Sequence, residues 1–365
     1  MNPQTNTTSA YMEIISGRRR GMLAMPIRCV LRILSWIYAG VIRVRNWYYD
    51  RWSLPIWLNV PVISVGNITV GGTGKTPMAI WLCKQMLERG RKPAVLSRGY
   101  KASEHAGADE LLVISRHCPE AVAVANPDRA AAGRLAIEEY GVKAAILDDG
   151  FQHRRLGRDL DIVLIDATRP FGFEYLLPRG LLREPIRNLK RAEVIVITRC
   201  NQADRETIKE IETRIRQINP EVPLFHAIHR PTVFTDLVGN EVRPPIGRRV
   251  GCFAGIARPE ALVNTLIDCS ISLTDARWWP DHHVYTPADA ELLGQWVNQV
   301  QLDCLVTTEK DAVKLTSLEV DWPVPVMALR VEIDVPDDGE TTLNKLIDKT
   351  LREYEEQTEP KNATD

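Results

Sequence analysis

Residues 61–77 read PVISVGNITVGGTGKTP, and this stretch decides the fold. Pro61–Val65 is short, apolar and β-branched, the pattern of a buried strand. It runs without a break into a glycine-rich turn and then into a helix-forming segment, Met78–Arg89. Glycines at 71, 72 and 74 let backbone N–H groups turn inward around phosphate oxygens, where a side chain would block the approach. Lys75 then reaches the β- and γ-phosphates, and the Thr76 hydroxyl is placed for Mg²⁺. The helix after the turn points its positive end at the same anion. Pro77 is tolerated in that first turn, where its missing N–H has no helical partner to lose. The strict phosphate-loop pattern begins with glycine at the position of Thr69, a departure. The nucleotide-binding residues expected are thus Thr69, Val70, Gly71, Gly72, Thr73, Gly74, Lys75 and Thr76.

Working outward, similar strand patterns recur at 93–96, 121–125, 144–147, 162–165 and 194–198, with helical stretches such as 78–89 and 130–139 between them. Strands alternating with helices predict parallel pairing through right-handed crossovers, an α/β sandwich of the P-loop NTPase type. A second acidic feature belongs at the end of another strand, facing the ligand crevice. Two segments compete for it: AAILDDG, ending in Asp148 and Asp149, and LDIVLID, ending in Asp166. Adjacent carboxylates are costly unless a cation neutralises them, which favours Asp148 and Asp149 as the Mg²⁺-associated pair. Asp166 then caps the next helix.

The 365 residues carry 46 Lys and Arg against 47 Asp and Glu, so no global basic field exists to hold nucleic acid. The charge is unevenly spread. Residues 1–60 hold eight arginines against Glu13 and Asp50 only, together with Trp36, Tyr38, Trp47, Tyr48, Tyr49, Trp52 and Trp57. The uninterrupted apolar run, Ile33–Ile42, covers about ten residues, where a bilayer span needs roughly 20. An amphipathic helix lying in a membrane surface is expected, with packing on the protein's own core as the alternative. Seven widely spaced cysteines without a C-x-x-C pair point to a reducing compartment. His226 and His229 read as strand or loop histidines rather than metal ligands.

Beyond the loop, seven ordered motifs carry a resemblance across residues 25–350: GGTGKTP, SRGYK (97–101), DDGFQHRRLGRDLDIVLID (148–166), LLPRGLLREP (176–185), GIARP (255–259), PDH (280–282) and TTEKDAVKL (307–315). Together they resemble the tetraacyldisaccharide 4′-kinases, the lipid A 4′-kinases. The resemblance implies a kinase at the cytoplasmic face of a Gram-negative inner membrane. It would transfer the ATP γ-phosphate to the 4′-hydroxyl of an acylated glucosamine disaccharide 1-phosphate, giving lipid IV-A. The family's phosphate loop also accepts a non-glycine where Thr69 stands. Asp148 and Asp149 match its acidic pair, with Gln152 and His153 in register. Its Gly-Asp-Glu-Pro motif corresponds to Ala108-Asp109-Glu110-Leu111, which lacks the glycine and the proline. The resemblance makes Asp109 the catalytic carboxylate and adds Glu110 to the Mg²⁺ ligands Thr76, Asp148 and Asp149. His282 matches the histidine of Pro-Asp-His, with His283 as its rival, and the active site is expected between two lobes. Catalysis is thus assigned to Asp109, His282 and Lys75, with ATP and Mg²⁺ as cofactors.

The organisation expected is a membrane-associating arm (1–59), a P-loop domain (60–222), a β-ribbon connector (223–249), a smaller C-terminal α/β lobe (250–355) closed by a helix at 340–355, and a polar tail (356–365). No protein partner is evident. Arg179 and Arg183 read as anion contacts, Arg154–Arg158 as either substrate contacts or a solvated loop, and Trp278 and Trp279 as either an acyl-chain entry or a lobe contact. Two other functions compete: a membrane-attached P-loop switch that phosphorylates nothing, and a kinase of a soluble small molecule. The first lacks an N-K-x-D guanine-reading motif; the basic, aromatic arm argues against the second.

Overall fold

The computed structural model describes residues 3–19, 21–99 and 109–358. Two helices lead the chain, α1 (Pro3–Ser16) and α2 (Ala24–Arg51). There follow β1 (Val62–Asn67), α3 (Lys75–Glu88), β2 (Pro93–Ser97), α4 (Asp109–His117), β3 (Val122–Ala125), α5 (Arg129–Tyr140), β4 (Ala144–Asp148), β5 (Leu160–Asp166), β6 (Val194–Thr198), α6 (Arg205–Ile218) and β7 (Leu224–His226). These strands form one seven-stranded sheet in the order β3-β2-β4-β1-β5-β6-β7, parallel throughout. Strands β1, β2, β4, β5 and β6 are buried along their whole length, which is why they read as continuous apolar runs. Between β1 and β4 the chain leaves in opposite directions across the sheet, and the crevice this opens lies at their C-terminal ends.

The second half holds β8 (Ile228–Thr235), β9 (Glu241–Val242), β10 (Val250–Ala254), α7 (Pro259–Asp268), β11 (Leu273–Trp278), α8 (Pro287–Val300), β12 (Cys304–Thr308), α9 (Glu309–Leu315), β13 (Val326–Asp334) and α10 (Gly339–Thr358). Its six-stranded sheet has the order β11-β10-β12-β13-β8-β9, parallel from β11 to β13 and antiparallel at β8 and β9.

Two features differ from the sequence reading. The segment 223–249 is divided between the sheets: β7 pairs with β6 of the first, while β8 pairs along β13 of the second. Phe225 of β7 is buried in the first core, and His229, Phe234 and Thr235 of β8 are buried against the second sheet, so neither remains a free ribbon. Helix α10 does not close the C-terminal lobe either. Its Leu343, Ile347 and Leu351 are buried in the core beneath the first sheet, beside Met78, Leu82 and Met86 of α3. Spacing of four residues sets these three on one stripe, and Arg89 ties the helix down through Asp348 at 2.7 Å and Asn344 at 3.0 Å. Ile333 and Val335 at the end of β13 enter the same core, so the lobes share one apolar cluster. The expected tail beyond Thr358 lies outside the described residues.

Helix α2 docks by one face. Ser35 Oγ donates to Leu176 O at 2.7 Å, Tyr38 OH to Arg183 O at 2.9 Å, and Arg45 reaches Gln152 O. On another face Ile33, Trp36, Ile37, Val41, Val44 and Trp47 are each more than half exposed. By length and composition alone α2 could cross a membrane: its most apolar 18-residue window has a mean hydropathy of 1.5, and 11% of that window is buried.

Candidate active site

Every nucleotide-loop residue sits where β1 ends and α3 begins. Gly71 and Gly74 have φ of +118° and +95°, which a side chain disfavours. At Gly74 space is lacking too, because a Cβ would lie 2.5 Å from His229 Nε2. Thr69 and Val70 are held from the side by the LLREP segment. Thr69 bridges Leu182 in antiparallel fashion, and the Val70 N–H donates to Leu181 O at 2.8 Å. Extended backbone at Thr69 explains why no glycine is needed there. Asn67 Nδ2 donates to Thr73 Oγ1 at 2.8 Å, and Gln152 Nε2 closes over Asn67 O at 2.8 Å.

The acidic pair divides by environment. Asp149 lies 3.4 Å from Lys75 Nζ and accepts from Arg183 Nη1 at 2.7 Å. Although burial opposes ionisation, those two cations hold its carboxyl at about 2. Asp148 is 2% exposed, and its Oδ1 has no partner. Burial pushes its carboxyl up to about 7, with Glu110 adding and Lys75 opposing. A buried carboxylate oxygen without a donor, facing a second acid, fits a cation ligand. Glu110 is already paired with Lys310. Among the described residues no group of three or more His, Cys, Asp and Glu forms a ready cage. Glu110, Asp148 and Asp149, expected together as metal ligands, therefore do not form one cluster.

Asp109 and His282 meet. Asp109 opens α4 on the first lobe, His282 follows Pro280 on the second, and His282 Nδ1 stands 3.2 Å from Asp109 Oδ2. Asp109 is buried, and Lys314 Nζ of α9 lies 3.4 Å from the same oxygen. Burial alone would raise its carboxyl. The His282 hydrogen bond and the charges of Lys314 and Lys310 hold it at about 2 instead. The reciprocal bond raises His282 above its ordinary value against the effect of burial. His282 also has a left-handed backbone, φ +59°, a conformation that persists only where the surroundings impose it. His283, the rival, points into the second lobe and contacts Asp289 at 3.1 Å among Trp279 and Tyr285.

Residues 27–352 match the family model described as tetraacyldisaccharide-1-P 4′-kinase. The chain belongs to this family. A tetraacyldisaccharide 4′-kinase from Syntrophus aciditrophicus is 36% identical over 338 residues, 85% of this chain and 90% of its own. The one from Bdellovibrio bacteriovorus is 34% identical over 346 residues, covering 89% of this chain and all of its own. A crystal structure of LpxK from Aquifex aeolicus in complex with ATP aligns at a TM-score of 0.68 and 29% identity, over 89% of this chain and 99% of that one. This kinase therefore phosphorylates the 4′-hydroxyl of tetraacyldisaccharide 1-phosphate in lipid A biosynthesis, and the lipid disaccharide is its substrate.

In the kinase several sequence-flagged residues have structural work instead of open contacts. Arg179 donates to Ile15 O at 2.6 Å and lies over the Tyr175 ring, fastening α1. Arg154 pairs with Asp50 at 2.6 Å and Arg158 with Asp161 at 3.2 Å, so this stretch anchors α2 and β5 rather than waving in solvent. Trp279 is buried against Phe253 and Tyr285, a contact internal to the second lobe. Tyr100, Lys101 and Ala108 lie outside the described residues. Sequence reasoning missed Arg183 as the partner of Asp149, and Lys310 and Lys314 as the cations facing Glu110 and Asp109. The signal for the lysines was available: spaced four apart on one helix, they project on one face.

Proposed function

We propose that ATP is the phosphoryl donor and that its phosphates lie on the loop 69–76, with Lys75 neutralising charge as the γ-phosphoryl moves. Transfer of this kind involves little covalent work by the protein, so positioning and electrostatics supply nearly all the rate. Thr76 and Asp148 are the residues best suited to hold Mg²⁺, with Glu110 and Asp149 beside them already balanced by lysine and arginine. When bound, Mg²⁺ supplies charge neutralisation across the phosphates. Asp109 and His282 act as one base on the 4′-hydroxyl. With Asp109 held at about 2, the proton comes to rest on His282, whose affinity for it Asp109 raises. The observation that carries this reading is the 3.2 Å contact between the two residues, one from each lobe.

The exposed stripe of α2 supports attachment at a membrane surface, where Trp36 and Trp47 sit at the headgroup boundary and the exposed Arg32 and Arg43 meet anionic lipid. The acceptor is an acylated lipid, so the cytoplasmic face of the inner membrane is the natural place for a kinase that draws on cytoplasmic ATP. The deciding experiment measures ATP consumption by the purified protein with and without tetraacyldisaccharide 1-phosphate. Consumption that requires the acceptor and yields a 4′-phosphorylated product is expected. Turnover indifferent to acceptor, with no lipid product, would instead describe a nucleotide switch.

A further inference from the structure

The phosphate loop has a second side, and it is held by residues that no phosphate would touch. Thr198, the last residue of β6, donates from Oγ1 to Thr73 O at 2.9 Å. Arg199 follows in a left-handed conformation, φ +56°, and from there its Nη1 donates to Gly72 O at 2.8 Å. A left-handed backbone on a buried arginine persists only where the surroundings impose it. Both peptides are trans, since Leu177–Pro178 is the one cis bond among the described residues. A trans peptide sets its C=O and N–H on opposite sides. Fixing the Gly72 and Thr73 carbonyls from beneath therefore turns the Thr73 and Gly74 N–H groups the other way. Asp166 completes the arrangement. Its Oδ1 accepts from the Thr168 N–H at 2.9 Å and Oγ1 at 2.6 Å, which is the capping role expected of it, exercised on a turn in place of a helix. Its Oδ2 is shared by Arg199 and by Arg258, which precedes α7 on the second lobe. A cap needs neither arginine.

We propose that Asp166, Arg199 and Arg258, with Thr198, form a positioning relay that sets the phosphate loop from its carbonyl side and makes that setting depend on the seating of the second lobe. The proposal rests on the reading of 69–76 as the ATP site. Arg258 acts through Asp166 and Arg199, so removing it should loosen phosphate binding from another lobe. The test uses the full-length, detergent-solubilised kinase and measures ATP Kd by calorimetry, with KM for ATP and for the lipid by steady-state kinetics. Arg258→Met is expected to raise ATP Kd and KM about tenfold, within the usual range for coupled sites, while lipid KM stays within about twofold. Arg258→Lys should recover part of the loss, because one cation still reaches Asp166. Thr198→Val keeps shape and packing, so it folds even if the arginine variants do not, and it should raise ATP Kd several-fold. In combination with Asp166→Asn, Arg258→Met should add little, as expected of residues in one chain of contacts. Unchanged ATP Kd in Thr198→Val and Arg258→Met, with only the melting temperature lowered, overturns the relay alone. A wild-type protein that binds no ATP would remove the loop reading and the relay with it.

Discussion

The phosphate loop and the Asp109–His282 pair, both proposed to serve the same transfer, are built in opposite ways. The loop is contiguous: eight residues between one strand and one helix, its two left-handed glycines placed by local sequence. The pair is assembled from positions 173 apart, one on each lobe, and joined by a single 3.2 Å contact. Local construction makes the loop hard to displace and easy to read. Non-local construction makes the pair adjustable, since a small relative movement of the lobes makes or breaks it. Yet the lobes share the core under α3, where Ile333, Val335 and α10 pack, so that movement is a bend about a common apolar hinge and not free separation.

The largest effect should come from the loop. Lys75→Ala is expected to lower kcat by about 10³-fold or more, because a preorganised cation on developing charge is worth several kcal/mol in a dry site. It also leaves Asp149 with Arg183 as its remaining cation contact, so folding must be checked by circular dichroism. Near-normal turnover by a folded variant would break the assignment.

Next in size are Asp109→Ala and His282→Ala, each expected to lower kcat by about 10²-fold, the usual scale of general-base assistance, with ATP Kd unchanged within about twofold. The comparison is sharpened by the double variant. Two groups working as one base fail together, so its loss should match the worse single rather than the product. Multiplicative losses would mean two independent roles. Asp109→Ala also leaves Lys314, among the described residues, with Asp311 at 3.3 Å as its remaining carboxylate, so part of its cost is a cation left half-paired.

How far each was legible depends on the same contrast. The P-loop and the parallel strands could be read because strand, turn and helix chemistry are local, and a run such as Val194–Thr198 is apolar only if covered on both faces. Asp109 and His282 were found through motif resemblance alone, since nothing near Asp109 in sequence shows that a histidine faces it. The fates of β7 and α10 were illegible for a different reason. Residues 343–351 declare a buried face by their periodicity, and β7 offers only Phe225 as a buried position, but neither says which sheet covers it. Arg183 was read as an anion contact, but which anion was hidden, because the segment lies along Thr69 and Val70, distant in sequence, and delivers the side chain to Asp149.

The smallest effect expected is on pH dependence, and it is read from kcat. ATP Kd has its own source of pH dependence, because burial pushes Asp148, the proposed Mg²⁺ holder beside the loop, up to about 7. On the proposed reading His282 must be neutral to take the acceptor proton, and its proton affinity is raised, chiefly by the hydrogen bond to Asp109. The kcat profile should therefore rise with pH through a limb above 6.5, the ordinary histidine value. In Asp109→Asn the charge is lost, and the limb should move down toward 6.5 while the plateau falls. The stability linkage runs in the opposite sense to activity. A histidine raised in the folded state stabilises below its unfolded value and loses that contribution as pH climbs through the folded value. Asp109, lowered to about 2, contributes above the unfolded carboxylate value and loses it as pH falls through that range. Thermal melts of wild type against His282→Gln from pH 5 to 9 should thus converge as pH rises, while their activities diverge. A kcat limb that stays put in Asp109→Asn would show that the proton is handled elsewhere and that the contact between the lobes only positions the acceptor.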